Sequence, residues 1–336
     1  MRIVSLLPSA TEIVFALGLG DDLVGRTHEC DYPPAAAAVP VLTADAAPEP
    51  GATSRRIHDR VRARLHGGSA IYRLDEAALA AARPDLILTQ ELCEVCAVSY
   101  RQVSQAVRAI DAEVAVVSLE PTSLEGIFNT ITTVGAYTAA EDEAVGLVEV
   151  LRERLAAVEN RVLERRLEGV APRRVVCAEW LDPPFAAGHW VPEQVQRAGG
   201  WELLGQAGAP SVETTWEAVR DVDPQQLFLM PCGFDAAQTR DEWARTPRPA
   251  WLADVAAVRE GQVFAVDGSA YFSRPGPRVI EGVALLAELM DSVGLAGEAP
   301  AGSWSPVDPP RPRPWAARPG QPRPSPPGTR SPPGGR

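Results

Sequence analysis

Two cysteines three positions apart, Cys93 and Cys96, together with His28, Cys30 and His189, are the side chains best suited to hold a metal. Thiolate and imidazole are ligands of zinc and iron, and a structural zinc site takes four of them at close spacing. Only one Cys-x-x-Cys is present, so three readings stand side by side. His28, Cys30, Cys93 and Cys96 form a zinc or iron site; or Cys93 and Cys96 open a helix as a redox pair; or the thiols line a loop and hold nothing. His189 has a further use, as an axial donor to a metal that a ligand brings with it. Carboxylates for hydrolysis are present at Glu12, Glu91, Glu179 and Asp182, and each would equally serve as a cap or a solvated loop residue. No G-x-S-x-G elbow, phosphate loop or G-x-G-x-x-G turn accompanies them. Catalysis therefore has no positive support.

Aromatic residues form the second population. Tyr32, Trp180, Phe185, Trp190, Phe234, Tyr271 and Phe272 fall in polar, Pro- and Gly-rich stretches. Large rings give contact area at small entropic cost, so such a set suits a large, flat, partly apolar ligand. The plainer alternative is that some of them cover the cores beneath. Pro8, Ser9, Gln90, Glu91 and Arg274 occupy comparable stretches and complete the candidate binding set.

The elements that would position these residues alternate between strands and helices. Strands are expected at 2–7, 24–27, 86–89, 114–119, 173–178, 227–230 and 262–266. Nearly every residue named above follows the carboxyl end of one of them, where open α/β sheets bind ligands. A helix opens at Pro8, with Ser9 as N-cap and Glu12 three residues on, the pattern of a capping box. Residues 35–56 read as a surface excursion, with helices following over 57–65, from Asp75 to Ala82, and over 100–110. Residues 243–257 read as irregular and partly helical, and a last helix ends at Met290.

Between the two halves runs the longest helical pattern, Asp142 to Leu167. Ala144, Leu147, Val148, Leu151, Leu155, Val158 and Val162 recur at three- and four-residue steps, which makes one apolar stripe. At ~1.5 Å per residue it spans roughly 40 Å. The chain on its two sides looks alike: Arg2-Ile-Val-Ser-Leu-Leu against Arg174-Val-Val-Cys-Ala-Glu-Trp, and Arg83-Pro-Asp-Leu-Ile-Leu against Asp223-Pro-Gln-Gln-Leu-Phe-Leu. The expectation is an α/β protein of two Rossmann-like lobes joined by a single long helix, with a ligand cleft between the lobes. The bland alternative is that any two α/β segments share this grammar. The boundaries are 1–120 for the first lobe, 121–170 for the helical connector and 171–295 for the second lobe. A Pro/Arg-rich tail at 296–336 lacks the apolar content to order itself.

A net charge of −12 over 336 residues argues against nucleic acid and anionic membrane as partners. No apolar run reaches 18 residues, so no transmembrane segment is expected. Met1-Arg2 leads straight into a strand, without the apolar core of a leader. The expectation is a cytoplasmic monomer, extracytoplasmic only if the true start lies upstream.

Ser5-Leu-Leu-Pro-Ser-Ala-Thr-Glu, Arg83-Pro-Asp-Leu-Ile-Leu, the long helix and Ala198-Gly-Gly resemble the helical-backbone substrate-binding proteins of ABC importers for vitamin B12, siderophores and haem. His28-Glu-Cys-Asp-Tyr-Pro, Gln90-Glu-Leu-Cys and Glu179-Trp-Leu-Asp-Pro-Pro-Phe resemble their cobalamin-binding subgroup. The resemblance implies a rigid connecting helix and non-catalytic binding of cobalamin or a related corrinoid, tetrapyrrole or metal chelate. Pro8, Tyr32, Trp180, Phe185 and Trp190 would line its cleft, with Tyr271 and Arg274 nearby. It also implies docking on an ABC permease through one carboxylate per lobe, for which Glu76 and Glu217 are the counterparts. The rival readings are a zinc- or iron-binding protein on the cysteine loops, and an enzyme acting on a corrinoid through Glu179, Asp182 and His189.

Overall fold

The computed structural model describes residues 1–46, 49, 51–66, 71–90, 114–290 and 302–307. Glu91, Cys93, Cys96 and the helix expected over 100–110 lie outside the described residues.

The first half runs β1 (Ile3–Ser5), α1 (Pro8–Ala16), β2 (Leu23–Arg26), β3 (Thr43–Asp45), α2 (Ser54–His66), β4 (Tyr72–Leu74), α3 (Glu76–Ala82), β5 (Leu86–Thr89) and β6 (Ala115–Ser118). Its sheet is fully parallel, in the order β2-β1-β5-β6. Two helices follow, α4 (Leu124–Thr138) and α5 (Glu141–Leu167). The second half runs β7 (Arg173–Leu181), β8 (Pro184–Ala186), α6 (Val191–Arg197), β9 (Gly200–Glu202), β10 (Val212–Glu213), α7 (Trp216–Val222), β11 (Gln226–Leu229), α8 (Ala236–Arg245), α9 (Ala256–Arg259), β12 (Val263–Val266), α10 (Gly268–Tyr271), α11 (Val279–Leu289) and β13 (Trp304–Pro306).

The two halves repeat one plan. In the second sheet β9, β7, β11 and β12 are parallel neighbours in that order, matching β2-β1-β5-β6. The repeat extends to local detail. Asp75 caps α3 by accepting from Ala78 N at 2.9 Å, and Thr215 caps α7 by accepting from Ala218 N at 3.1 Å. Each helix ends in a left-handed residue, Arg83 or Asp223, and a proline then turns the chain into the next strand. The second sheet is enlarged by the antiparallel pairs β7–β8, β8–β10 and β12–β13.

Helix α5 joins the halves. Ala144, Val148, Leu151, Leu155, Val158 and Val162 are buried, and Leu147 packs beside them. They belong to one continuous apolar cluster that holds Ile3, Ile13 and Leu124 from one side and Val175, Val195 and Leu286 from the other. The turn from α4 brings the two helices so close that a Cβ on Gly135 would lie 2.6 Å from the Ala144 Cβ, so only glycine fits.

Several local expectations are corrected. The N-cap of α1 is Leu7, with Pro8 at the first helical position and no side-chain cap. Proline suits that position because its missing N–H is one that the helix leaves unbonded. Ser9 is thus inside the helix, and Glu12 is drawn away to a partner in the other lobe. Residues 236–245 form a regular helix absent from the expectations, held by a capping box between Asp235 and Gln238, whereas residues 246–257 are irregular and partly helical as expected. Residues 302–307 do not belong with a structureless tail: Trp304, Ser305 and Pro306 pair with Val266, Ala265 and Phe264, and the Trp304 and Phe264 rings meet edge to face at 5.8 Å.

Two stability predictions follow from this architecture. Leu151→Ala removes a side chain shared by the joined cores and should cost roughly 2–5 kcal/mol in chemical denaturation. A chain ending at 301 should melt below one ending at 307, because it strips β12 of its edge partner and removes Val307 from the second-lobe core, a side chain worth about 1.5–3 kcal/mol when fully buried. Equal melting temperatures would show that β13 contributes nothing.

Candidate functional site

The parallel strands of both sheets deliver their carboxyl-end loops to one seam between the lobes. Two sets of contacts cross it. The first descends from the loop after α10. Arg278 donates from Nε and Nη2 to the two oxygens of Glu12, at 3.0 and 2.5 Å, and its guanidinium lies 4.1 Å above the Tyr32 ring. Arg274 forks onto both oxygens of Asp31 and donates to the Glu29 carbonyl at 3.0 Å. Forked guanidinium–carboxylate pairs add directionality to charge, and both arginines gain it here. Glu12 is only 3% exposed. Burial pushes its carboxyl up from the usual range while Arg278 and Arg274 pull it down, and the two-oxygen fork is that of a carboxylate. The loop lies flat on α1: a Cβ on Gly276 would sit 3.2 Å from Glu12 Oε2 and 3.5 Å from the Ser9 Cα.

The second set rises from the first lobe. The segment read as a surface excursion crosses the seam, and α2 begins against the second lobe. Ser54 donates from its backbone N and its hydroxyl to Glu242 Oε1, at 2.6 Å each, and Arg245 holds the other oxygen at 2.7 Å. A carboxylate facing the first N–H of a helix also meets the positive end of its dipole. Trp180 Nε1 donates to the Ser54 carbonyl at 3.2 Å, Arg55 pairs with Asp182, and the His58 ring lies 5.9 Å from Phe185. Trp180 in turn meets Phe234 edge to face at 5.8 Å.

The candidate residues therefore separate. Tyr32, Trp180, Phe185, Phe234 and Arg274 gather along the seam, with Ser9 buried beneath the Gly276 loop and Pro8 opening α1 just before it. Gln90 directly follows the carboxyl end of β5. Trp190 does not stand open in the seam: it is 7% exposed, and its Nε1 donates to the Phe272 carbonyl at 2.9 Å. Tyr271 and Phe272 are buried with it, and Gln194 Nε2 donates to the Tyr271 carbonyl at 3.1 Å. These three rings pack the second lobe. His189 sits at the turn into α6 with φ at 51°, its backbone N donating to the Ala209 carbonyl at 2.6 Å. Glu179 accepts from the Ser211 hydroxyl at 2.7 Å, and burial pushes its carboxyl up while the nearby His189 pulls it down.

No metal centre assembles from the described ligands. His28 Nδ1 bonds the Thr43 hydroxyl at 2.7 Å, and its ring faces Tyr72 at 5.4 Å. Cys30 is buried with its sulfur 3.0 Å from the Thr11 hydroxyl, and burial pushes the thiol up to about 11. Among the described residues no three His, Cys, Asp or Glu side chains converge on a common point.

Ser54, Arg55, His58, Glu242, Arg245, Asp31 and Arg278 were not singled out from sequence. Their only sequence cue was placement: Asp31 neighbours Tyr32, and Arg278 follows Arg274 in the same Pro/Gly-rich loop.

Comparison with known proteins extends this picture. A family model described as periplasmic binding protein matches residues 3–270. The vitamin B12-binding protein of Vibrio cholerae serotype O1 is 23% identical over 291 residues, covering 84% of this chain and 86% of that protein. An uncharacterised ABC transporter substrate-binding lipoprotein of Bacillus subtilis strain 168 is 24% identical, covering 85% of this chain and 79% of its own length. The crystal structure of a periplasmic heme-binding protein from Pseudomonas aeruginosa shares the fold, with a TM-score of 0.66 at 20% identity, over 87% of this chain and 93% of that one. These findings overturn the cytoplasmic expectation, because the matching family and its lipoprotein relative are extracytoplasmic. They also set aside the enzyme reading of Glu179, Asp182 and His189, since the relatives bind solutes rather than convert them. With most of its length matched by one family model and its two lobes facing across a seam, this chain belongs to the periplasmic binding protein family, as a non-catalytic substrate-binding protein.

Proposed function

We propose that the chain binds cobalamin or a closely related corrinoid between its lobes and presents it to an ABC permease. The observation that carries this reading is the aromatic wall of the seam, where Trp180 and Phe234 meet edge to face, Phe185 stands beside them and Tyr32 lies on the facing lobe. Flat rings set along a seam suit a broad macrocycle better than a small sugar or an ion. Supporting it, the Vibrio cholerae relative that aligns along most of the chain is a vitamin B12-binding protein.

The ligand would enter where α2 and the Arg274–Arg278 loop cross the seam, so binding requires both crossings to move or to frame it. His189, at the start of α6, is the one described imidazole placed in the loop after β8 with a carboxylate, Glu179, close behind it. It is the group we assign to a metal that the ligand carries. Purified protein mixed with cyanocobalamin and passed through a desalting column should retain the red chromophore at one equivalent, and elution of colourless protein would sink the reading. Trp180→Ala should weaken retention by about 2 kcal/mol or more, the scale of an aromatic anchor, in a calorimetric titration.

The permease contact belongs to the same reading. Glu76 and Glu217 are exposed in the first turns of the repeated helices α3 and α7. Aligning the caps Asp75 and Thr215 sets Glu76 opposite Trp216 and Glu217 opposite Ala77, so the two carboxylates are one step out of strict equivalence. Both still crown the same end of matching helices. Glu76→Ala and Glu217→Ala should each weaken binding to the permease in proteoliposomes by about tenfold, the lower range for an interfacial charge pair, with cyanocobalamin affinity unchanged. Unaltered docking in the double variant would remove both residues from the contact.

A further inference from the structure

The chain contains no lysine, so arginine supplies every permanent side-chain cation it can offer a ligand. At the seam those cations are already committed. Arg278 forks onto Glu12, Arg274 onto Asp31, Arg55 pairs with Asp182, and Arg245 with Glu242. Arg26, just beneath the 27–32 loop, gives its donors to the carbonyls of Thr27, Cys30 and Val39. Acids remain in surplus. Glu29 has no arginine partner among the described residues, Glu179 is held by a serine hydroxyl, and Asp267 accepts from the Ala270 backbone.

A carboxylate on a ligand entering the seam thus finds each of these five guanidinium groups already committed. To pair with Arg274 it must displace Asp31, whose own carboxylate then faces it across a short gap. Asp31 is the member most open to solvent, its side chain 65% exposed against 11% for Arg274, so it is also the member a ligand reaches first. A carboxamide has no such conflict, since its N–H groups donate to Glu29 or Asp31 and its oxygen asks for no cation.

Resting on the corrinoid reading, we infer that the seam selects macrocycles whose rim carries uncharged carboxamides and rejects those whose rim carries carboxylates, with Asp31 as the residue that sets this preference. The recognised chemistry is an array of neutral hydrogen-bond donors; free acids are excluded by charge, not by size.

The test compares dicyanocobinamide with dicyanocobyrinic acid, which present the same corrin ring with carboxamide or carboxylate arms, by equilibrium dialysis against the full chain. The carboxamide form should bind roughly 10- to 100-fold tighter, the scale of an unmatched charge in a partly buried site. Asp31→Asn removes the competing carboxylate from Arg274, which keeps its bond to the Glu29 carbonyl, and should narrow that ratio by roughly tenfold. Equal or tighter binding of the acid by the unaltered chain overturns the inference, as does a ratio that Asp31→Asn leaves unmoved while the variant melts like the parent. If Asp31→Asn fails to fold, the unaltered chain still decides through protohaem and its dimethyl ester, where the ester should win. If neither corrinoid binds, the corrinoid reading falls, and the haem pair decides the charge rule alone. Binding of none of the four overturns both.

Discussion

The apolar stripe of α5 is the constraint on which the rest depends. Its six buried positions serve both lobes within one core cluster, so neither lobe can swing away without tearing apolar surface into water. Burial of that kind costs on the order of 25 cal/mol per Å² to undo. Lobes held at a fixed spine can differ only in how their loops meet at the seam. That explains why the polar, directional interactions concentrate there: the spine supplies the energy of association, and the forked pairs decide its alignment.

Those pairs are few and mutual. The first lobe lends Glu12 and Asp31 to arginines of the second, and receives Asp182 and Glu242 for its own Arg55 and Ser54. A buried ion pair contributes little net stability once the loss of hydration is counted, yet breaking one leaves a bare charge at real expense. Such contacts fix geometry more than they add strength. The seam is therefore set to one arrangement by groups that a ligand can replace only with matching chemistry.

Much of this was legible in the sequence wherever the controlling interaction is local. The stripe of α5 named the buried residues because helical periodicity is a property of neighbouring positions, and Asp75 announced α3 because a cap acts over three residues. Strand β5 ran over Leu86–Thr89 as its apolar run requires. What escaped lay far apart in the chain. Ser9-x-x-Glu12 has the form of a capping box, and nothing local reveals that Glu12 is taken by an arginine 266 residues away. Ser54 meets Glu242 across 188 residues. Trp180 and Trp190 lie ten positions apart in one aromatic, proline-rich stretch, yet Trp180 sits along the seam and Trp190 is packed inside the second lobe. Residues 302–307 were hidden by proline-rich neighbours, because composition averaged over a long window outweighs six residues that have a sheet edge to join.

That last strand has a consequence for the order of assembly. A polypeptide is made from its amino end, and domains completed early can fold while the remainder is still being synthesised. The described strands of the first sheet are all made by Ser118, whereas β12 waits for β13, the last of the described strands. Until then the second lobe exposes an unpaired parallel edge, the kind of edge that invites pairing with another chain. The nascent protein thus passes through a stage in which one lobe is finished and the other is adhesive, and its exposure to aggregation ends only when residues 302–307 close the sheet.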